Sequence, residues 1–288
     1  MPVAETLRFL GAGLCLVACG SSGDVSDAGS DVVYGHKSLD AAPYEAAIPE
    51  AAPFDRMEEH SGIVLPMPNI QAVYVGQTGI QGYASFDAFL TWLLGSTDYW
   101  SILAQYGVGY GAFQGSVQVD TAAFFTPGMV VGGMVDALVL QARVQAVIHE
   151  TPSDAGVDEG DAGDGGDVVV PPIPPIPTAD AYIFFLPDDI NVNLEGEGQT
   201  CVGIGGYHSY DGNEPFAIIP SCGRSGLVVS HEMAEMCTDP VPGLGWFSDA
   251  DEANAGGEVG DLCNYTISVD NNDATALWSN KDGQCEPQ

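Results

Sequence analysis

The sequence predicts an α+β fold, in which a mixed sheet packs on helices. Apolar runs such as NIQAVYVG (69–76) and DAYIFFLPDDINV (180–192) are typical of buried strands. SFDAFLTWLLGS (85–96) instead spaces its apolar residues as one face of a helix does. These strands and helices follow one another without regular alternation, which favours an α+β or mixed α/β domain over repeated βαβ units.

The first half of the domain contains two helices, a strand and a third helix, in that order. STDYWSILAQYG (96–107) continues the first helix as a second one, and residues 110–119 alternate loosely, as a strand does. Proline suits the first turn of a helix, so Thr126-Pro127 predicts a helix start. No further proline interrupts the chain up to His149, which predicts one continuous helix over 126–149.

The second half contains strands followed by a short helix. CVGIGGYHSY (201–210) and PFAIIPSC (215–222) are strand candidates. Ser225 can cap a helix that begins near Gly226, and Asp239-Pro240 helps to end it. After Pro240 the chain is rich in loops.

The N-terminal residues indicate export. Residues 1–18 have a short apolar run that cannot span a bilayer but suits a signal peptide. Leu16-Val17-Ala18-Cys19 resembles a bacterial lipoprotein box, which predicts lipidation of Cys19 and anchoring to a membrane of the cell envelope. An ordinary secretory signal is the alternative. Residues 19–62 are predicted to be a disordered acidic tether.

The charge of the chain excludes one class of partner. The formal net charge is −34, from 40 acidic residues against 6 Lys and Arg. Such a surface repels phosphate backbones, so we expect no nucleic-acid partner. Residues 152–178 place further acids among glycines and prolines and lack the spacing of a calcium loop. We expect this segment to be an insertion that interrupts the domain 63–288.

The segment VVSHEMAEMCTDP (228–240) predicts a metal site. His231 and Glu235 are four residues apart and share one face of the predicted helix, as the zinc ligands of H-E-x-x-H proteases do. Glu232 points about 100° away from His231, where it can act as the general base for a water. The alternative is that H-E-x-x-E is only a polar helix face.

The remaining candidates lie outside this helix. Glu258 and Asp261, in GGEVGDLC (256–263), can supply a third metal ligand and a supporting carboxylate, or they are ordinary loop acids. His208 can support the site or be a structural histidine at a strand end. Asp239 is a further possible supporting residue.

Several of these segments together resemble one known family. CVGIGGYHSY, PFAIIPSC, VVSHEMAEMCTDPVPGLGWFSD and GGEVGDLC are similar to segments of the EXORDIUM-like, phosphate-induced proteins, especially bacterial ones. The resemblance covers roughly residues 65–285 without the acidic insertion. It implies an extracellular protein with a metallopeptidase-like helix, and hence a zincin-like fold, but it does not define a reaction. The matching site residues are His231, Glu232, Glu235, Asp239, Glu258, Asp261 and Cys263.

Five cysteines lie in the last third of the chain, where an exported protein is expected to form disulfides. Cys237 stands where the resembling family has a small or apolar residue, so it is the candidate for the unpaired thiol. Cys201–Cys222 and Cys263–Cys285 are then the expected pairs, because each spans a short polar stretch.

Two functions remain open at this point. The first is a lipid-anchored zinc-dependent hydrolase, most simply a metallopeptidase that acts on a peptide or cell-wall substrate. His231 and Glu235 would bind zinc with Asp261 or Glu258, and Glu232 would be the general base. The second is a non-catalytic cell-surface protein with a structural metal or a polar network in the same place. Calcium is a weaker option, because histidine is not a ligand that calcium prefers.

Overall fold

Helices and mixed sheets together make this an α+β fold. The structure, a computed structural model, describes residues 56–76, 83–95, 97–149, 172–195, 198–210, 212, 214–248, 257–263 and 265–287. The predicted signal peptide, Cys19, most of the tether and residues 152–171 of the predicted insertion lie outside the described residues. In the described part of the chain, no helix is long and apolar enough to cross a membrane.

Sixteen strands and five α-helices are described. The strands are β1 Glu58–Glu59, β2 Asn69–Val75, β3 Ala112–Val119, β4 Val130–Val131, β5 Met134–Asp136, β6 Ala181–Phe185, β7 Asn191–Leu194, β8 Gly198–Thr200, β9 Gly203–Ile204, β10 Tyr207–Tyr210, β11 Pro215–Ile219, β12 Trp246–Phe247, β13 Thr266–Val269, β14 Asn272–Thr275, β15 Leu277–Ser279 and β16 Gln284–Glu286. The helices are α1 Tyr83–Gly95, α2 Thr97–Trp100, α3 Thr121–Phe124, α4 Ala137–His149 and α5 Gly226–Thr238. Three 3₁₀ turns cover Ser101–Tyr106, Ser221–Gly223 and Asp261–Cys263.

The central sheet has the strand order β10-β11-β6-β2-β3. Strands β11, β6, β2 and β3 are parallel to one another, and β10 joins the edge antiparallel to β11. Parallel strands are normally covered on both faces. A second sheet has the order β4-β5-β7-β8-β9.

Apolar side chains of the central sheet enter two separate cores, one on each face. In β2, Ile70, Ala72 and Tyr74 join one core, whereas Val73 and Val75 join the other. This alternation follows from the two-residue period of a strand. Helix α5 packs in the first core and α4 in the second, so the sheet lies between two layers.

One predicted helix proved wrong in part. Residues 126–136 do not belong to the helix predicted over 126–149: β4 and β5 form an antiparallel hairpin, and α4 begins only at Ala137. Gly132 and Gly133, with φ of 60° and 79°, form the turn between Val131 and its partner Met134. Two consecutive positive-φ residues are what a tight hairpin turn requires, and this signal outweighs the absence of proline.

The described end of the predicted tether is part of the packed domain. Met57 is buried, and Glu58 and Glu59 pair with β12. The His60 ring stacks on Phe247 with 3.7 Å between ring centroids. The packed region therefore includes residues 56–62, which the sequence assigned to the tether.

The cysteines pair as expected from the sequence. Disulfides join Cys201 to Cys222 and Cys263 to Cys285, and Cys237 is free and buried on α5. This pairing fits an oxidising compartment. The second disulfide fastens the segment 257–263 to the C-terminal strand β16.

Removing the Cys263–Cys285 disulfide is expected to lower the free energy of unfolding by about 3 kcal/mol, because the released loop regains conformational entropy when unfolded. The double variant Cys263→Ala/Cys285→Ala should also bind metal more weakly, since Asp261 lies two residues before Cys263. Urea unfolding and a metal titration measure the two effects. The matched control, Cys201→Ala/Cys222→Ala, should lose similar stability but keep its metal affinity. Equal losses of affinity in both variants would contradict this account.

Candidate metal centre

Helix α5 carries most of the candidate site. It begins after Ser225, whose hydroxyl accepts a hydrogen bond from the Val228 amide, as the sequence predicts for an N-cap. Every residue from Val228 to Thr238 is buried. A buried helix is normally apolar all round. His231, Glu232 and Glu235 are therefore unusual inside it and need partners.

His208 reaches the same place from the central sheet. It pairs with Ala217 across β10 and β11, and Ala217 belongs to the core that contains α5. Directly opposed residues point to the same face of a sheet, so His208 points toward α5. Its Nδ1 lies 3.7 Å from Glu232 Oε2 and 3.8 Å from Glu235 Oε2.

The segment 257–263 closes the other side. Asp261 Oδ1 lies 3.3 Å from His231 Nε2, and the Asp261 amide donates to Glu235 Oε1 at 3.1 Å. His231 Nε2 and Glu235 Oε1 are 3.0 Å apart. Glu258 Oε1 lies 3.5 Å from His208 Nε2. The structure thus brings together six of the residues singled out from the sequence, here called the His/carboxylate cluster: His208, His231, Glu232, Glu235, Glu258 and Asp261.

Gly260 is a site residue that the sequence analysis missed. A Cβ at this position would come within 2.8 Å of His231 Nδ1 and 3.0 Å of Glu235 Oε1. Real Cβ atoms do not approach polar atoms so closely, so only glycine lets the backbone pass beside both side chains. The G-D pair within GGEVGDLC was a signal for this close approach.

Asp239 has a different role from the supporting one considered above. Its carboxylate accepts hydrogen bonds from the amides of Gly243, Leu244 and Gly245. Asp239 therefore shapes the turn that follows α5 and leads to β12. We assign it to this turn, outside the His/carboxylate cluster.

The cluster is buried, and many of its polar atoms lack hydrogen-bond partners within the described residues. Its six side chains belong to residues with relative exposures of 0–7%. Among the described residues, no hydrogen bond of good geometry reaches either ring nitrogen of the two histidines or either carboxylate oxygen of Glu232 and Glu258, although His231 Nε2 lies within ion-pairing distance of Glu235 and Asp261. The separations of 3.5–3.8 Å around His208 are too long for hydrogen bonds. Leaving so many buried polar atoms unpaired is costly.

The cluster could hold a metal ion. Two sets offer one ligand atom per residue within 4.8 Å of one another: His231, Glu235 and Asp261, and His208, Glu232 and Glu235. Ligand atoms about 2.0–2.2 Å from a tetrahedral ion lie about 3.4 Å from each other. The separations of 3.0 and 3.3 Å around His231 Nε2 are close to that value. The residues present therefore fit a metal ion.

Burial and mutual charge shift the ionisation of the metal-free cluster. Burial raises the pKa of Glu232, Glu235 and Glu258 above the ordinary value of 4.5. Burial alone would lower the pKa of both histidines. The neighbouring carboxylates outweigh it, chiefly Glu258 for His208 and Glu235 for His231, so both pKa values rise well above 6.5.

The metal-free protein is expected to lose stability as the pH rises from about 5 to 8. With these pKa values raised, the folded cluster holds more protons than the unfolded chain, and stability then falls with rising pH. Metal binding requires deprotonated ligands, so the stabilisation by zinc should instead grow with pH. Melting temperatures with and without zinc test this, in high salt to screen surface repulsion. A metal-free melting temperature that rises over this range would contradict the shifts.

Comparisons with protein-family models, with curated proteins and with solved structures give no match. The resemblance to EXORDIUM-like proteins therefore stays a prediction from the sequence.

Proposed function

We propose that this protein is an exported zinc-dependent hydrolase, with a metallopeptidase of zincin-like, EXORDIUM-like type as its most specific form. The observation that carries the proposal is the buried His/carboxylate cluster, in which most ring nitrogens and carboxylate oxygens face one another without a hydrogen-bond partner among the described residues. The histidines favour zinc over calcium, which prefers oxygen ligands. A lipid on Cys19 would hold the enzyme at the cell envelope.

His231, Glu235 and Asp261 are the residues we propose as zinc ligands. They are one of the two sets whose atoms lie within 4.8 Å, and Gly260 allows their close approach. The amide of Asp261 orients Glu235 by donating to Oε1. A bound zinc ion lowers the pKa of a water toward 7 and polarises a carbonyl group.

Glu232 is the residue we propose as general base when one ion is bound. It lies on α5 between His231 and Glu235, and both of its oxygens lack hydrogen-bond partners among the described residues. Its ionised carboxylate can take a proton from a water at the centre and return it to a leaving amine. His208 Nδ1 lies 3.7 Å from Glu232 Oε2, too far to hydrogen-bond to it directly.

A structural metal centre is the second candidate function. The near-complete burial of all six residues favours it, because a substrate must reach a catalytic ion. In that case the metal would hold α5, β10 and the segment 257–263 together, and the protein would not catalyse a reaction at this site.

One experiment separates the two functions. The full-length protein is stripped of metal, reloaded with zinc and incubated with a fluorogenic peptide pool, and its melting temperature is recorded in both forms. The hydrolase proposal predicts zinc-dependent cleavage and a zinc-dependent rise in melting temperature. A rise without cleavage supports the structural centre and refutes the peptidase. The absence of both cleavage and a rise in melting temperature would refute both functions.

A further inference from the structure

We propose that the His/carboxylate cluster binds two divalent metal ions, with Glu235 bridging them and His208 and Glu232 holding the second. The first ion is the one of the proposed function, on which this inference therefore rests. Neither the sequence motif nor the first ligand set implies a second ion.

The two carboxylate oxygens of Glu235 face different partners. Oε1 lies 3.0 Å from His231 Nε2 and accepts the Asp261 amide. Oε2 lies on the side of His208, 3.8 Å from Nδ1, and has no hydrogen-bond partner among the described residues. A carboxylate whose oxygens point into two ligand sets is placed to bridge two ions.

The second set shares only Glu235 with the first. His208, Glu232 and Glu235 each offer one ligand atom, all within 4.8 Å of one another, and all three residues are fully buried. His208 Nδ1 and Glu232 Oε2 are 3.7 Å apart, too far for a hydrogen bond but suitable for two ligands of one ion. Two buried polar atoms at this distance need a bridging group between them.

Glu258 supports this assignment from behind His208. Its Oε1 lies 3.5 Å from His208 Nε2. The other ring nitrogen, Nδ1, faces Glu232 and Glu235. Metal-binding histidines commonly direct their second nitrogen at a carboxylate, which fixes the tautomer that leaves the first nitrogen free to bind. Glu258 therefore lies on the far side of His208 from the second ligand set, and the distances favour Asp261 as the third ligand of the first ion.

The charge of the cluster also matches two ions. The four carboxylates of Glu232, Glu235, Glu258 and Asp261 carry 4 × (−1) = −4 when ionised, and histidines that bind metal are neutral. Two divalent ions supply +4, whereas one ion leaves −2 or, with His208 protonated, −1. An uncompensated buried charge is strongly unfavourable.

A second ion would change the part that Glu232 plays. With one ion bound, Glu232 is free to accept a proton. With two, its carboxylate is a ligand, and the activation of water passes from Glu232 to the pair of ions.

Metal stoichiometry tests the inference independently of any activity. Full-length protein is loaded with Mn²⁺ at buffered free concentrations in high salt, which suppresses binding to the acidic surface, and the bound metal is counted by mass spectrometry. We expect two ions per chain, and a spin-coupled Mn²⁺ pair in the electron paramagnetic resonance spectrum. His208→Ala should reduce the count to one and abolish the coupling. The control His149→Ala, at an exposed position on α4, should keep both.

Each other outcome has a defined meaning. One ion in the wild type, unchanged in His208→Ala, refutes the second ion and leaves the proposed function standing. No bound ion, whether Mn²⁺ or zinc is supplied, refutes both. If His208→Ala does not fold, the nearly isosteric Glu232→Gln takes its place with the same expected loss of one ion. Two uncoupled ions that survive both substitutions would show binding elsewhere and overturn the inference.

Discussion

Replacing Glu235 by glutamine is expected to remove all bound metal. Glu235 belongs to both ligand sets, so its loss leaves neither set complete. Zinc at about a thousand times its dissociation constant stabilises a protein by about 4 kcal/mol, and the variant should lose that whole increment. Metal content and urea unfolding with and without zinc measure the two effects.

Two comparisons keep this prediction specific. Without metal, Glu235→Gln should change stability by less than this increment, because it removes a buried carboxyl whose pKa burial raises but also the partner that raises the pKa of His231. The matched control is Glu59→Gln, which changes an exposed glutamate on β1 and should bind zinc normally. A Glu235→Gln protein with its full metal content would show that the helix is only a polar face.

Replacing Glu232 by glutamine is expected to stop hydrolysis while the His231 ion stays. Glutamine keeps the size of glutamate but cannot accept the proton, and a missing general base costs about 10²–10⁴ in rate. Cleavage of the peptide pool and metal content are measured on the same samples. The second ion, where present, should be lost, since its binding needs the Glu232 carboxylate.

The exposed control for this variant is Glu58→Gln, also on β1, which should keep full activity. Two results would contradict the roles assigned within H-E-x-x-E. If Glu232→Gln cleaves the peptide pool at the wild-type rate, Glu232 is not the general base. Complete loss of metal, as in Glu235→Gln, would show that Glu232 is required by the first ion as well.

The local features of the site could be predicted from the sequence. The Ser225 cap, the end of α5 near Asp239 and the shared face of His231 and Glu235 all follow from short-range rules of helix geometry. The Cys201–Cys222 and Cys263–Cys285 pairs join cysteines that are only 21 and 22 residues apart. Loops of this length cost less entropy to close than longer ones do.

The long-range features could not be predicted in the same way. His208 reaches the cluster only because β10 pairs with β11 in a register that points it toward α5. A shift of one residue would turn it to the opposite face. The role of Gly260 depends on two segments that meet in space. The helix predicted over 126–149 proved wrong at its start because Gly132 and Gly133 form a hairpin turn within the apolar stretch.

The central claim is that zinc binds between α5 and the segment 257–263. Anomalous diffraction from crystals of the zinc-loaded protein, recorded on both sides of the zinc absorption edge, tests it most directly. The account predicts a zinc peak about 2.0–2.2 Å from His231 Nε2, Glu235 Oε1 and Asp261 Oδ1. A well-ordered cluster without a zinc peak, or zinc bound only at surface carboxylates, would contradict it.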